Sequence, residues 1–190
     1  MQFFQIRKII IIGGGNKVLE ILPDIKQLIA KKSNCALVFS SSRFFDKFED
    51  VDVAKYISLI GVDAKRAIDK SKDFSNTSFV TFSSEFEVNT LIPEVIFDKS
   101  FELKELISNI LPVNTTNLSL SLANTLTDNN IYICGYDGYS EINIGKKENK
   151  LLADNNLIFE ELAKNHKDKF KFLYPAKYGF LDIESIYSLI

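Results

Sequence analysis

Residues 8–18 read KIIIIGGGNKV, and this stretch decides the fold. Ile9, Ile10, Ile11 and Ile12 form a β-branched run with no polar alternation, as expected of a parallel strand buried on both faces. Gly13, Gly14, Gly15 and Asn16 end it. From Lys17 onward Val18, Leu19, Leu22, Ile25, Leu28 and Ile29 recur three and four residues apart, which paints one face of a helix. Strand, glycine turn and helix in this order open a parallel α/β unit. Asn16 is placed to cap the helix, and Pro23 is expected to kink or reset its first turn.

The same alternation continues outward. Apolar runs of strand length occupy residues 35–39 (CALVF), 56–60 (YISLI), 78–82 (SFVTF), 94–97 (EVIF), 130–134 (NIYIC) and 170–174. Helical segments are expected at 64–71 and 101–111. Another, at 118–126, begins near the cap-rich Asn114, Thr115, Thr116 and Asn117. A loop over 141–149 and a long helix over 150–163 complete the pattern. Right-handed crossovers between parallel strands follow. The expected architecture is a three-layer, Rossmann-like α/β domain with a mostly parallel sheet, and residues 1–190 read as a single domain with no internal repeat or linker.

Composition narrows the function. The 190 residues hold 23 Lys and Arg against 25 Asp and Glu, with one His, two Cys and no Trp. A net charge of -2 and a pI near 5.5 disfavour general nucleic-acid binding, which needs excess cations to displace counterions. With His166, Cys35 and Cys134 as the soft ligands, no structural zinc site is expected, and a Ser-His-Asp triad would have to use that one His. His166 lies in a polar run and reads as a solvated loop residue. Cys35 and Cys134 lie in apolar runs and read as small buried hydrophobes, which fits a reducing compartment. The N-terminal apolar stretch is too short to span a bilayer and lacks a small-residue cleavage site, so no membrane partner and a cytoplasmic location are expected.

Ligands of open α/β sheets bind beyond the carboxyl ends of the strands. The segments there are residues 13–16, Ser40, Ser41, Ser42 and Arg43, Gly61, Ser83 and Ser84, and Gly135, Tyr136, Asp137, Gly138 and Tyr139. Backbone N–H groups at Gly13, Gly14, Gly15 and Asn16 could approach an anion at a helix start. The dinucleotide fingerprint is incomplete, because Val18 stands where its third glycine belongs and no acid closes the second strand. Ser40–Arg43 suits a phosphate better than a ribose, and any phosphate is expected to rest mainly on backbone N–H groups, with Arg43 the nearby guanidinium. The architectural alternative is that the glycines only make a tight turn and admit the helix. Asp137 could bind a sugar or pterin, hold a hydrated magnesium ion or act as a base. Equally, Asp137 and Gly138 could form a tight Asx turn.

Taken with NTTNLSLSLANTL (114–126), NIYICGYDGYSE (130–141) and LYPAKYGFLDIESIYSLI (173–190), KIIIIGGGNKV resembles the C-terminal domain of aldolase-like proteins from bacterial surface-polysaccharide clusters. More distantly, the glycine turn and the late Gly-x-Asp turn resemble the Rossmann-like domains of hydroxymethylpterin diphosphokinases, flagellin glycosyltransferases of motility accessory factors and sialyltransferases. The resemblance implies a ligand-binding domain for a nucleotide or nucleotide-sugar in cell-surface polysaccharide synthesis. Aldolase chemistry is not implied for this chain, which has no metal-bearing barrel pattern. Two other expectations stand beside the first: a glycosyl- or diphosphotransferase using Asp137, and a non-catalytic domain docking on an aldolase-like barrel.

Overall fold

The computed structural model describes residues 8–32, 34–58, 77–82, 99–101, 114–138 and 145–190. Seven strands form one sheet: β1 (Lys8–Ile12), β2 (Cys35–Phe39), β3 (Ala54–Ser58), β4 (Thr77–Phe82), β5 (Lys99–Phe101), β6 (Ile131–Cys134) and β7 (Phe170–Phe172). Their order is β5-β4-β3-β2-β1-β6-β7, and every pairing is parallel. The chain builds outward from β1 to β5, then returns to the other side of β1 with β6. The strand order therefore reverses between β1 and β6.

The isoleucine run explains why β1 is central. Ile10 and Ile12 face one layer, with Val18, Ile21, Ile25 and Leu28 of α1 (Lys17–Lys31). Ile9 and Ile11 face the other, with Leu118 and Leu122 of α2 (Thr115–Leu126) and Ile158, Phe159 and Leu162 of α3 (Lys146–His166). All four isoleucines are fully buried, each contributing about 1.5–3 kcal/mol of transfer free energy. The α/β, three-layer, Rossmann-like architecture is thus observed.

Several boundaries differ from the sequence reading. The third strand begins at Ala54, two residues before the expected start, because Lys55 is accommodated: it is 1 % exposed and its ammonium donates to the Val51 carbonyl at 2.5 Å, while residues 59 and 60 lie outside the described residues. α1 is continuous over Lys17–Lys31 with Pro23 inside it, so the helix is not reset there. α2 begins where the cap cluster stands, with Asn114 Oδ1 accepting the Asn117 N–H at 2.9 Å. α3 begins at Lys146, inside the expected loop, with Glu148 in its first turn. The last strand ends at Phe172. A 3-10 segment kinked at Phe44, Ser42–Phe48, follows β2 after Ser40 and Ser41. The expected strand 94–97 and helix 64–71 lie outside the described residues, as does the 101–111 helix apart from Phe101, which belongs to β5.

Candidate functional site

Three turns meet at the carboxyl edge of β1, β2 and β6. The glycine turn lies against the end of β6: Gly13 N–H donates to Cys134 O at 2.9 Å and Gly15 N–H to Gly135 O at 2.8 Å. These bonds correct the expectation that the glycine amides as a set await an anion. Two of them hold β1 to β6, leaving those of Gly14 and Asn16 unclaimed among the described residues. The close approach also explains the glycines. A Cβ on Gly13 would meet the Gly135 carbonyl and the Tyr136 ring, and Gly135 itself has φ +76° with Val18 Cγ2 2.6 Å from any added Cβ.

The second turn is positioned from below. Phe44, Phe45 and Phe48 bury the 3-10 helix, with Phe45 edge-on to Phe39 at 4.6 Å between ring centroids. Ser41 caps that helix by accepting the Arg43 N–H at 3.3 Å, and Ser42 opens it. Arg43 is thereby left exposed at its start, over the Phe44 ring, and donates from Nη1 to Gly14 O at 2.9 Å. One of its five N–H donors is used in this bond. The Arg43 side chain thus bridges the β2 and β1 turns.

Tyr136 ties the third turn to the other two. Its hydroxyl donates to Ser40 Oγ at 2.7 Å and lies 3.4 Å from Thr116 Oγ1 of α2, while Ser40 Oγ donates to Ile12 O at 3.3 Å. Burial pushes the Tyr136 hydroxyl up to about 12, against the lowering effect of its bonds to Ser40 and Thr116. Burial, with the Asp137 charge second, also holds the Cys134 thiol well above its usual range. Neither group is set up as a nucleophile at neutral pH.

Asp137 has an unexpected partner. Asn16 adopts a helical conformation and makes no side-chain cap; instead Asp137 Oδ2 accepts the Lys17 N–H at 3.3 Å, across 120 residues of sequence. Its Oδ1 is buried, faces Gly15 and has no hydrogen-bond partner among the described residues. Asp137 therefore caps α1 through a long-range contact, while Tyr139, whose N–H a local Asx turn would engage, lies outside the described residues. Among the described residues no group of three metal-ligating side chains occurs. Gly138, with φ +79°, lies under the Lys177 side chain, and Lys177 N–H donates to Tyr136 O at 3.2 Å.

Every nominated residue from 13–16, 40–43 and 135–138 therefore belongs to one edge of the sheet. Gly61, Ser83, Ser84 and Tyr139 lie outside the described residues. His166 ends α3 beside Phe170, the first residue of β7, and so belongs to the opposite edge. Sequence reasoning missed Thr116 and Lys177. It also missed the buried Ser119 Oγ to Ser58 Oγ bond of 2.8 Å that joins α2 to the end of β3. The only available signal was the alternation of serine and leucine in LSLSLAN. A cavity of about 650 Å³ lined by Lys26, Lys32, Asp50 and Val53 opens at the amino edge, away from these turns, and there Lys26 and Asp50 satisfy each other at 2.6 Å.

The fold matches that of the MAf glycosyltransferase from Magnetospirillum magneticum AMB-1 with a TM-score of 0.60 at 12% identity. In fold, the chain is similar to part of a glycosyltransferase. The match covers 97% of this chain and 33% of that one, so the chain spans about a third of its structural neighbour's length. Glycosyltransferase domains are among the groups that the two glycine turns distantly resemble, and the likeness agrees with that at the level of the fold alone. No protein-family profile matches the chain and no curated protein matches it, so the resemblance to aldolase-associated domains finds no counterpart. No helix among the described residues is long and apolar enough to cross a membrane.

Proposed function

We propose that this chain is a transferase-like, nucleotide-sugar-binding domain whose ligand lies across the β1–β6 crevice. The supporting observation is the Arg43 to Gly14 bridge. It places an exposed guanidinium beside the glycine turn, at the point where strand order reverses and α/β sheets take their ligands. In this reading the phosphates rest on the Gly14 and Asn16 amides and the remaining Arg43 donors, and Ser40 and Tyr136 hold the Arg43-bearing turn in register. The fold likeness to a glycosyltransferase and the resemblance drawn from the sequence favour a sugar-linked phosphate and a place in cell-surface polysaccharide synthesis.

Calorimetric titration with CMP-, UDP- and GDP-sugars tests the reading. At least one is expected to bind with Kd below about 1 mM, and Arg43→Ala should weaken it roughly tenfold or more, the worth of a charged hydrogen bond. Absence of binding across the panel overturns it. A second reading, a non-catalytic domain docking on a barrel enzyme, has its support in the engaged Gly13 and Gly15 amides, which make those glycines architectural. It gains if no sugar nucleotide binds and the chain is retained by an aldolase-like barrel protein.

A further inference from the structure

Resting on that reading of the crevice, we propose that Asp137 is a built-in anion that keeps phosphate off the Lys17 amide of α1 and confines a ligand's anionic group to the Gly14 and Asn16 amides and the Arg43 guanidinium. The argument begins with what an open helix start offers: unpaired N–H groups and a partial positive charge. Here a carboxylate from 120 residues away already accepts the Lys17 N–H. Its other oxygen fills the space beside Gly15, a position that only a residue without a side chain leaves open. A phosphate oxygen placed at the Lys17 amide would displace Asp137 or sit against a like charge.

The one cation of this turn is committed as well. The Lys17 ammonium pairs with Glu20 at 2.7 Å and lies over the Tyr174 ring, 5.1 Å from its centroid. Glu20, chiefly through its hydrogen bond, raises the Lys17 pKa above the ordinary value. Two carboxylates, Asp137 and Glu20, therefore serve the first turn of α1. Across the crevice the balance is opposite. No acid is bonded to Arg43 among the described residues, and one neutral carbonyl holds it. The two sides differ in what they offer an anion, although both border the same glycine turn.

The test uses inorganic phosphate, so it does not depend on which sugar nucleotide binds. Thermal unfolding is followed for the wild type, Asp137→Ala and Asp137→Asn in ~50 mM phosphate and in chloride of equal ionic strength. The wild type is expected to show at most a small phosphate-specific rise, from the Gly14 and Arg43 side. Asp137→Ala should gain about 2–4 °C beyond the wild type, and Asp137→Asn, which keeps an acceptor and loses the charge, a smaller excess. Equal stabilisation of all three, or none in either variant, overturns the proposal. If Asp137→Ala does not fold, backbone amide shifts of the wild type decide. The Lys17 amide should stay unmoved as phosphate is added, and a saturating shift there overturns it. Sugar nucleotides failing to bind while Asp137→Ala gains phosphate removes the ligand class but not the role of Asp137. The reverse pattern removes that role alone.

Discussion

The carboxylate of Asp137 occupies the space that a side chain on Gly15 would need. The two residues are therefore a matched pair. Gly15→Ala should cost about 1–3 kcal/mol as an overpacked contact. In an Asp137→Gly background the same change should cost much less, because the obstructing group is gone. Urea unfolding of the four proteins of this cycle measures the coupling, and additive effects would show that the carboxylate moves aside without cost.

Gly135 and Gly138 both have positive φ, +76° and +79°, but their surroundings differ. An added Cβ on Gly135 meets Val18 Cγ2 and the Gly13 backbone, whereas on Gly138 it meets the flexible stem of Lys177. Gly138→Ala is expected to cost about 1–2 kcal/mol, the left-handed penalty alone. Gly135→Ala should cost more than this, since backbone cannot yield as a lysine stem can. Chemical denaturation ranks the two directly.

Tyr136 supplies a pH prediction. Its pKa rises from the ordinary 10.0 to about 12 on burial, so above pH 10 the unfolded chain loses this proton while the folded chain keeps it. The folded state then binds more protons, and stability falls as pH rises from about 10 to 12. Tyr136→Phe removes the bridge to Ser40 and Thr116 and should cost about 0.5–1.5 kcal/mol at neutral pH. The alkaline loss of stability should be shallower in this variant, which unfolding curves at neutral and alkaline pH will show.

The buried serine pair gives a cleaner test of polar satisfaction. Ser119 is fully buried and Ser58 nearly so, and each is the other's partner at 2.8 Å. Ser119→Ala leaves the Ser58 hydroxyl stranded and should cost about 1–3 kcal/mol. The double change to alanine should cost less than the sum of the single changes. Additivity would mean that the stranded hydroxyl finds another partner.

How much of this was legible in the sequence follows from the range of each interaction. β1 could be read because a strand buried on both faces needs apolar residues at every position, and Ile9, Ile10, Ile11 and Ile12 meet that need. The start of α2 could be read because Asn114 caps it locally. The 3-10 segment could not, since Phe44, Phe45 and Phe48, though three and four residues apart, span too short a run to tell a helical turn from a loop. The first turn of α3 is polar, and nothing in its spacing separates it from a loop. At the site, strand ends pointed correctly to the residues that share an edge. Their roles were hidden because the cap of α1 comes from Asp137 rather than the adjacent Asn16, and no local pattern records a partner 120 residues away.

The central claim is that a sugar nucleotide is held between the glycine turn and Arg43. The most direct measurement is a backbone amide map of the protein titrated with CMP-, UDP- and GDP-sugars. The expected result is saturable shifts at Gly14, Asn16, Arg43 and Tyr136 with at least one of them, lost in Arg43→Ala. No shift at millimolar ligand, or shifts confined to the Lys26 and Asp50 cavity at the other edge of the sheet, would contradict it.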